Sequence, residues 1–127
     1  MSLSYEQRKE LLLFLQDSVA EDGYERFKAL CRIAKDVVGD GILSNSREFN
    51  CVMGRRMIAY QMRKEGCSLT FIGKCLNKNH ATILHMTRSM DDILQLPKMF
   101  KLEITYWNMF QKRISDYEIN EGTNKDS

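Results

Sequence analysis

Hydrophobic residues recur every three or four positions along most of the chain, which is the spacing of one face of an α-helix. The first predicted helix covers residues 4–20. Ser4 and Gln7 have the spacing of a capping box at its start, and Gly23 predicts a break after it, because glycine is a poor helix former. The apolar stripe of this helix consists of Leu11, Leu12, Leu15 and Val19.

The same spacing predicts five further helices, over residues 24–38, 46–65, 68–76, 80–95 and 97–117. Gly39 and Gly66 stand where the second and third helices are expected to end, and Gly54 predicts a break or kink within the third. Pro97 suits the first position of the last helix, because a helix does not need the N–H group there. Residues 119–127 are polar and predict a disordered tail.

Two of these helices are joined by only Asn77, Lys78 and Asn79, which is the layout of a helix-turn-helix. Ser68 is a favourable N-cap for the first helix of the pair. The apolar stripe of the second helix consists of Ile83, Met86, Met90, Ile93 and Leu94. Its opposite side carries the polar residues Thr82, His85, Ser89 and Asp92. The pattern therefore predicts that one face of this helix is buried and that the other is presented to a partner.

A chain of 127 residues, 43% of them hydrophobic, is long enough for one domain with one core. We predict an all-α fold, a small helical bundle that contains the helix-turn-helix. Its parts are an extra N-terminal helix in residues 1–22, the helix-turn-helix domain in residues 23–118 and the tail in residues 119–127. No apolar run approaches the ~20 residues of a membrane span, so the sequence predicts a cytoplasmic protein without a membrane partner.

Positive charge is concentrated in the middle of the chain. Residues 47–90 contain eight Lys or Arg and two Asp or Glu, a net charge of +6, whereas residues 1–46 (six and eight) and residues 91–127 (five and seven) are each −2. Such a cluster favours binding of a polyanion such as nucleic acid, because Lys and Arg displace its condensed counterions. A solvated basic surface without a partner is the alternative that charge alone leaves open.

Sequence motifs typical of enzymes are absent: there is no phosphate-binding G-x-x-x-x-G-K-[ST], no G-x-S-x-G and no H-E-x-x-H. We therefore expect no enzymatic activity, no small-molecule substrate and no cofactor. Cys67, Cys75, His80 and His85 have the side chains that bind zinc. Seven residues separate the two cysteines, whereas structural zinc ligands come in close pairs, so the spacing favours reduced thiols and no metal.

The most informative segment is SLTFIGKCLNKNHATILHMTR, residues 68–88. It resembles the C-terminal DNA-binding domain of the bacterial replication initiator DnaA, which carries a serine-leucine start, an isoleucine-glycine pair and an acidic-His-Thr-Thr-aliphatic-Leu-His signature. Residues 68–69, 72–73 and 79–85 stand at the corresponding places. The likeness covers residues 24–114 and implies a DnaA-like or Trp-repressor-like helical bundle.

The resemblance also implies roles for individual residues. The start of the helix at residue 80 is expected to enter the major groove and to meet base edges or backbone with Asn79, His80, Ala81 and Thr82; an asparagine there suits adenine. Residues 54–59 resemble the family's Pro-Arg-Gln helix start, in which an arginine enters the minor groove. That residue is expected to be Arg55 or Arg56. Phosphate contacts are expected from Lys74, Lys78, Arg88 and the helix start at Ser68, Leu69 and Thr70.

These patterns predict a sequence-preferring protein that binds double-stranded DNA and associates with the nucleoid when bound. The alternative is a protein-interaction or regulatory module of DnaA-like fold that has lost base reading. Residues 4–20 leave a second question open, because their apolar stripe is typical both of a helix that completes a core and of one that mediates self-association.

Overall fold

Five α-helices and no β-strand make up the described part of the chain, residues 4–125 of a computed structural model. Side chains are described for residues 4, 6, 7 and 22–120. The helices are α1 (Tyr5–Val38), α2 (Phe49–Lys64), α3 (Leu69–Leu76), α4 (His80–Gln95) and α5 (Lys101–Lys125). The predicted all-α helical bundle is confirmed. Within the described residues, none of these helices has both the length and the apolar character needed to cross a bilayer.

Helix α1 is continuous, so the predicted break at Gly23 is wrong. The predicted capping box at its start is confirmed: the Gln7 N–H donates to Ser4 Oγ at 3.2 Å, and the Ser4 N–H donates to Gln7 Oε1 at 3.0 Å. Gly23 instead permits close packing, because a Cβ at this position would lie 2.9 Å from the Phe71 ring on α3. This packing offsets the ~1 kcal/mol that glycine costs in a helix. The four residues of the predicted apolar stripe are not among those whose side chains are described; they are Leu11, Leu12, Leu15 and Val19.

Helix α2 is also continuous, and the predicted break at Gly54 is wrong. Gly54 is buried, and a Cβ there would lie 2.9 Å from Ile42 and 3.0 Å from Val38. The end of α1 and the loop that follows it therefore pack closely on α2 at this point. The helix begins later than predicted, because Ser46 Oγ accepts the Glu48 N–H at 3.2 Å in a local turn that precedes the helix.

The core lies where α2 packs against each of the other four helices. Its largest fully buried side chains come from all five helices and are Leu30, Met53, Met57, Ile58, Met62, Ile72, Ile83, Met90 and Phe110. The predicted apolar stripe of α4 faces this core, with Leu94 half-buried at its edge. Burial of one such side chain contributes ~1.5–3 kcal/mol, so this interior fixes the relative positions of the helices.

Helix α5 starts after the predicted position, Pro97. The Leu96 carbonyl oxygen accepts the N–H of Met99 at 3.0 Å and that of Phe100 at 3.1 Å, so the proline lies in a turn that precedes the helix. The helix then continues to residue 125, and the predicted disordered tail over residues 119–127 is wrong as far as that point. Extending an existing helix costs much less than starting one, which explains why polar residues continue it.

A polar cluster joins three helices, and it consists of Arg26 on α1, Gln61 on α2 and Glu65 directly after it, and Gln111 and Glu118 on α5. Arg26 donates to the two Glu65 oxygens at 2.8 and 2.9 Å and to Glu118 at 3.0 Å. Gln61 donates to Glu65 at 2.7 Å and accepts from Gln111 at 2.8 Å. Burial alone would raise the pKa of Glu65, but the hydrogen bonds from Arg26 and Gln61 outweigh it and hold that pKa below its usual value.

Candidate nucleic-acid interface

The two helices predicted as a pair, α3 and α4, are joined by three residues, Asn77 to Asn79. Asn77 ends α3 with a φ of 57°, in the left-handed region that asparagine tolerates better than most residues. The Lys78 N–H donates to the Gly73 carbonyl oxygen at 2.8 Å. A Cβ on residue 73 would collide with the Lys78 carbonyl oxygen, so this short connection requires glycine.

Both helices of the pair begin with a side-chain cap. Ser68 Oγ accepts the Phe71 N–H at 3.1 Å, which confirms the predicted cap of α3, and Asn79 Oδ1 accepts the Thr82 N–H at 2.8 Å. A cap of this kind stabilises a helix by ~1 kcal/mol. Sequence reasoning missed the role of Asn79 as a cap. Because its Oδ1 is already engaged, a bidentate contact with adenine would compete with the cap, and the amide nitrogen is the group left to donate.

An open depression lies at the junction of α3 and α4, bordered by Thr70, Gly73, Lys74, Asn77, Lys78, Asn79 and His80. Five predicted site residues thus come together here. Ala81 is exposed beside His80, Thr82 is half-buried, and Arg88 is exposed farther along α4. We call the exposed and half-buried members of this region the α3–α4 surface: Ser68, Thr70, Lys74, Lys78, Asn79, His80, Ala81, Thr82 and Arg88. Leu69 does not belong to it, since its side chain packs against the core.

Arg55 does not lie on the surface, and its predicted place in a DNA groove is wrong. It is 6% exposed, and its guanidinium donates to three carbonyl oxygens of the loop before α2, those of Ile42 at 3.1 Å, Ser44 at 2.8 Å and Ser46 at 2.5 Å. These contacts keep the side chain inside the protein and fix the loop. Of the two arginines that the sequence left open, only Arg56 is partly exposed.

The loop that Arg55 fixes lies beside the α3–α4 connection. Lys78 Nζ donates to Asn45 Oδ1 at 3.2 Å, which joins the loop to the turn. Arg47, on the same loop, is exposed. Sequence reasoning counted Arg47 in the basic central block but not among the site residues, because nothing in the linear pattern places this loop next to α4.

The basic side chains of this region lack acidic partners within the part of the chain whose side chains are described. The ion pairs found there are Arg26–Glu65, Arg26–Glu118, Lys28–Glu25 and Lys35–Asp40. None of them includes a residue of the α3–α4 surface or Arg47. Asp91, on α4, is engaged elsewhere, as it accepts the Tyr60 hydroxyl at 2.9 Å. The predicted concentration of positive charge therefore stays open to an anionic partner.

The residues considered for zinc do not form a metal site. Among the described residues, no group of three or more His, Cys, Asp or Glu side chains is placed to hold a metal ion. The four cysteines are free thiols. Burial raises the pKa of Cys31 to about 11 and also raises the pKa of Cys67 and of Cys75, so these three thiols are protonated near neutral pH.

Comparisons of the chain with protein-family models, with curated protein sequences and with solved structures give no match. The assignment of the α3–α4 surface therefore depends on its own residues and geometry.

Proposed function

We propose that the protein binds double-stranded DNA, with α3 and α4 acting as a helix-turn-helix and the start of α4 in the major groove. The observation that carries this proposal is the α3–α4 surface, where basic and hydrogen-bonding side chains meet around one connection without acidic partners among the described residues. The resemblance of residues 24–114 to the DNA-binding domain of DnaA supports it.

We assign the recognition of bases to the first turn of α4. His80 and Ala81 are exposed there, and the hydrogen bond from the Thr82 N–H to Asn79 holds this turn in place. An imidazole can donate to or accept from base edges, the Ala81 methyl suits a thymine methyl, and the Asn79 amide nitrogen suits an acceptor. Each good contact of this kind is worth ~1–3 kcal/mol of discrimination between bases.

We assign the binding of phosphates to the residues around this turn. Lys74, Lys78 and Arg88 are the cations of the α3–α4 surface, and Ser68 and Thr70 add hydroxyl groups at the start of α3. Such contacts position a protein on DNA without selecting a sequence. They also make binding salt-dependent, because each neutralised phosphate releases condensed counterions.

Two arginines outside the helix pair are candidates for the neighbouring groove. Arg47 is exposed on the loop that Lys78 contacts through Asn45, and Arg56 is partly exposed on α2. We assign the contact to Arg47, because its loop is joined to the α3–α4 turn by that hydrogen bond. A guanidinium can enter a narrow A·T-rich minor groove, where negative potential is concentrated.

The test measures DNA binding by fluorescence anisotropy with a DnaA-box-like duplex, a scrambled duplex and a random pool, each at low and near-physiological salt. We expect a preference for one sequence that survives added salt, and we expect His80→Ala to reduce the preference by about 1–3 kcal/mol without changing the unfolding midpoint. Lys28→Gln is the control, because Glu25 already pairs with that charge. Equal affinity of the wild type for all three duplexes would reject base reading, and absence of binding would reject the function itself.

A further inference from the structure

The side chain of Asn79 uses its two polar atoms in different ways. Its Oδ1 accepts the Thr82 N–H at 2.8 Å, and this atom must be the oxygen, because a backbone N–H requires an acceptor. The amide nitrogen makes no hydrogen bond among the described residues, and Asn79 is exposed at the edge of the depression between α3 and α4. The group that Asn79 presents to a partner is therefore a donor.

The cap limits what Asn79 can recognise on a base. An asparagine pairs with both N6 and N7 of adenine only when its oxygen and its nitrogen face the same base edge. Here the oxygen is directed to the Thr82 N–H of its own helix. Pairing with adenine in that way would break the cap and leave this N–H without its partner. The residue type alone suggests adenine, but the cap leaves a residue that donates only.

The four bases differ in the acceptors that they present in the major groove. Guanine has two, O6 and N7, whereas adenine has N7 beside a donor and thymine has O4 beside a methyl group. Cytosine has only the N4 donor. One amide nitrogen carries two N–H bonds and can serve both acceptors of guanine, as the single nitrogen of a lysine does. A residue that only donates therefore favours guanine most and cytosine least.

We propose that Asn79 selects guanine and rejects cytosine at the base pair that it faces. This assignment rests on the proposed function, because it names the base that one residue of the α3–α4 surface recognises. The DnaA signature that residues 79–85 resemble has an acidic residue at the place of Asn79. A carboxylate only accepts hydrogen bonds, so it suits the N4 donor of cytosine. At this position of the target, the chain and the family that it resembles therefore favour different bases.

The test compares the wild type with Asn79→Asp, because aspartate caps a helix as well as asparagine does but has no N–H to donate. Each protein selects duplexes from a random pool, and sequencing of the bound fraction gives the base preference at every position. We expect one position where the wild type prefers guanine over cytosine at least about fivefold and where Asn79→Asp prefers cytosine over guanine. Preferences at the other positions, circular dichroism and the unfolding midpoint should not change.

Asn77→Asp is the matched control. It adds the same negative charge at the same depression, two residues away, and aspartate tolerates the left-handed φ of this position. We expect it to weaken binding to all duplexes alike and to keep the wild-type preferences, because the donor at Asn79 is intact.

The outcomes separate this assignment from the proposed function. If the wild type selects a sequence and Asn79→Asp selects the same bases at every position, the assignment of guanine to Asn79 is wrong and the proposed function stands. Selection of adenine by the wild type at the position that Asn79→Asp alters would also overturn the assignment. If the wild type binds DNA but selects no sequence, base reading by the α3–α4 surface is rejected, and the assignment is rejected with it.

Discussion

Basic side chains are paired at one place in this molecule and unpaired, among the described residues, at another. In the polar cluster around Glu65, Arg26 of α1 contacts two carboxylates, that of Glu65 at the end of α2 and that of Glu118 on α5, so its partners lie within the same chain. On the α3–α4 surface, Lys74 and Arg88 are exposed without ion pairs among the described residues. The first arrangement stabilises the packing of three helices. The second leaves positive charge available to a partner from outside.

The comparison separates two uses of basic residues that composition alone cannot distinguish. Arg55 is counted in the basic central block, yet its hydrogen bonds to three loop carbonyls make it an internal contact. Substitutions in the internal group should therefore change stability, and substitutions in the surface group should change binding.

Replacement of Arg55 should have the largest effect on stability. Arg55→Ala leaves the Ile42, Ser44 and Ser46 carbonyl oxygens without this donor, and we expect a loss of about 3 kcal/mol in the free energy of unfolding. Because the loop carries Arg47, DNA affinity should fall as well. Urea denaturation and anisotropy check the two effects, with Arg56→Ala as the control. If Arg56→Ala costs as much stability as Arg55→Ala, the internal role of Arg55 is wrong.

Replacement of Glu65 should have a smaller effect that depends on pH. Because the folded pKa of Glu65 is held below its usual value, its ionised form stabilises the fold above the unfolded pKa of about 4.3, and the stabilisation is lost as pH falls through the folded pKa. Glu65→Gln should therefore lower the free energy of unfolding by about 1–2 kcal/mol at neutral pH and by less in acid.

Urea denaturation of both proteins at several pH values measures this difference. Glu25→Gln serves as the control, because Glu25 is exposed and pairs with the neighbouring Lys28. A stability difference between wild type and Glu65→Gln that stays constant down to acid pH would contradict the role assigned to the carboxylate. DNA affinity should not change, since Glu65 lies outside the α3–α4 surface.

Replacement of Lys74 should have the smallest effect on stability and should act on binding alone. Lys74→Gln removes an exposed charge, so we expect the free energy of unfolding to stay within about 0.5 kcal/mol of the wild type. Affinity should fall for all duplexes alike, and the slope of log K against log salt should decrease by about one. Titrations at a series of salt concentrations measure the slope. An unchanged slope would exclude a phosphate contact by Lys74.

The helix pair could be predicted from sequence because its signals are local. The cap at Ser68 acts within three residues, and the apolar stripe of α4 depends on spacing along one helix. The predicted breaks at Gly23 and Gly54 were wrong for the opposite reason: helix propensity is a weak local preference, and contacts with Phe71, Ile42 and Val38 outweigh it.

The candidate site could be predicted only in part. The sequence placed His80 and Lys74 among the candidate residues because they belong to the helix pair, and in the structure both border the depression at its junction. The burial of Arg55 could not be predicted, because its partners are carbonyl oxygens of a loop whose path depends on tertiary packing. Arg47 was not among the predicted candidates for the same reason, since only the contact between Lys78 and Asn45 shows that its loop adjoins the turn.

The connection between α3 and α4 has a consequence for finding related chains. Residue 73 must be glycine because of a backbone collision, residue 77 must tolerate a left-handed φ, as Asn and Gly do, and residue 79 must cap α4, as Asn, Asp, Ser and Thr do, so the connection restricts three positions to a few residue types. His80 and Ala81, which follow it, carry no such constraint. If the chain binds DNA as proposed, related chains that bind other sequences should therefore keep these restricted positions while the residues after them vary, and a search anchored on the three positions should find such chains where overall identity is low.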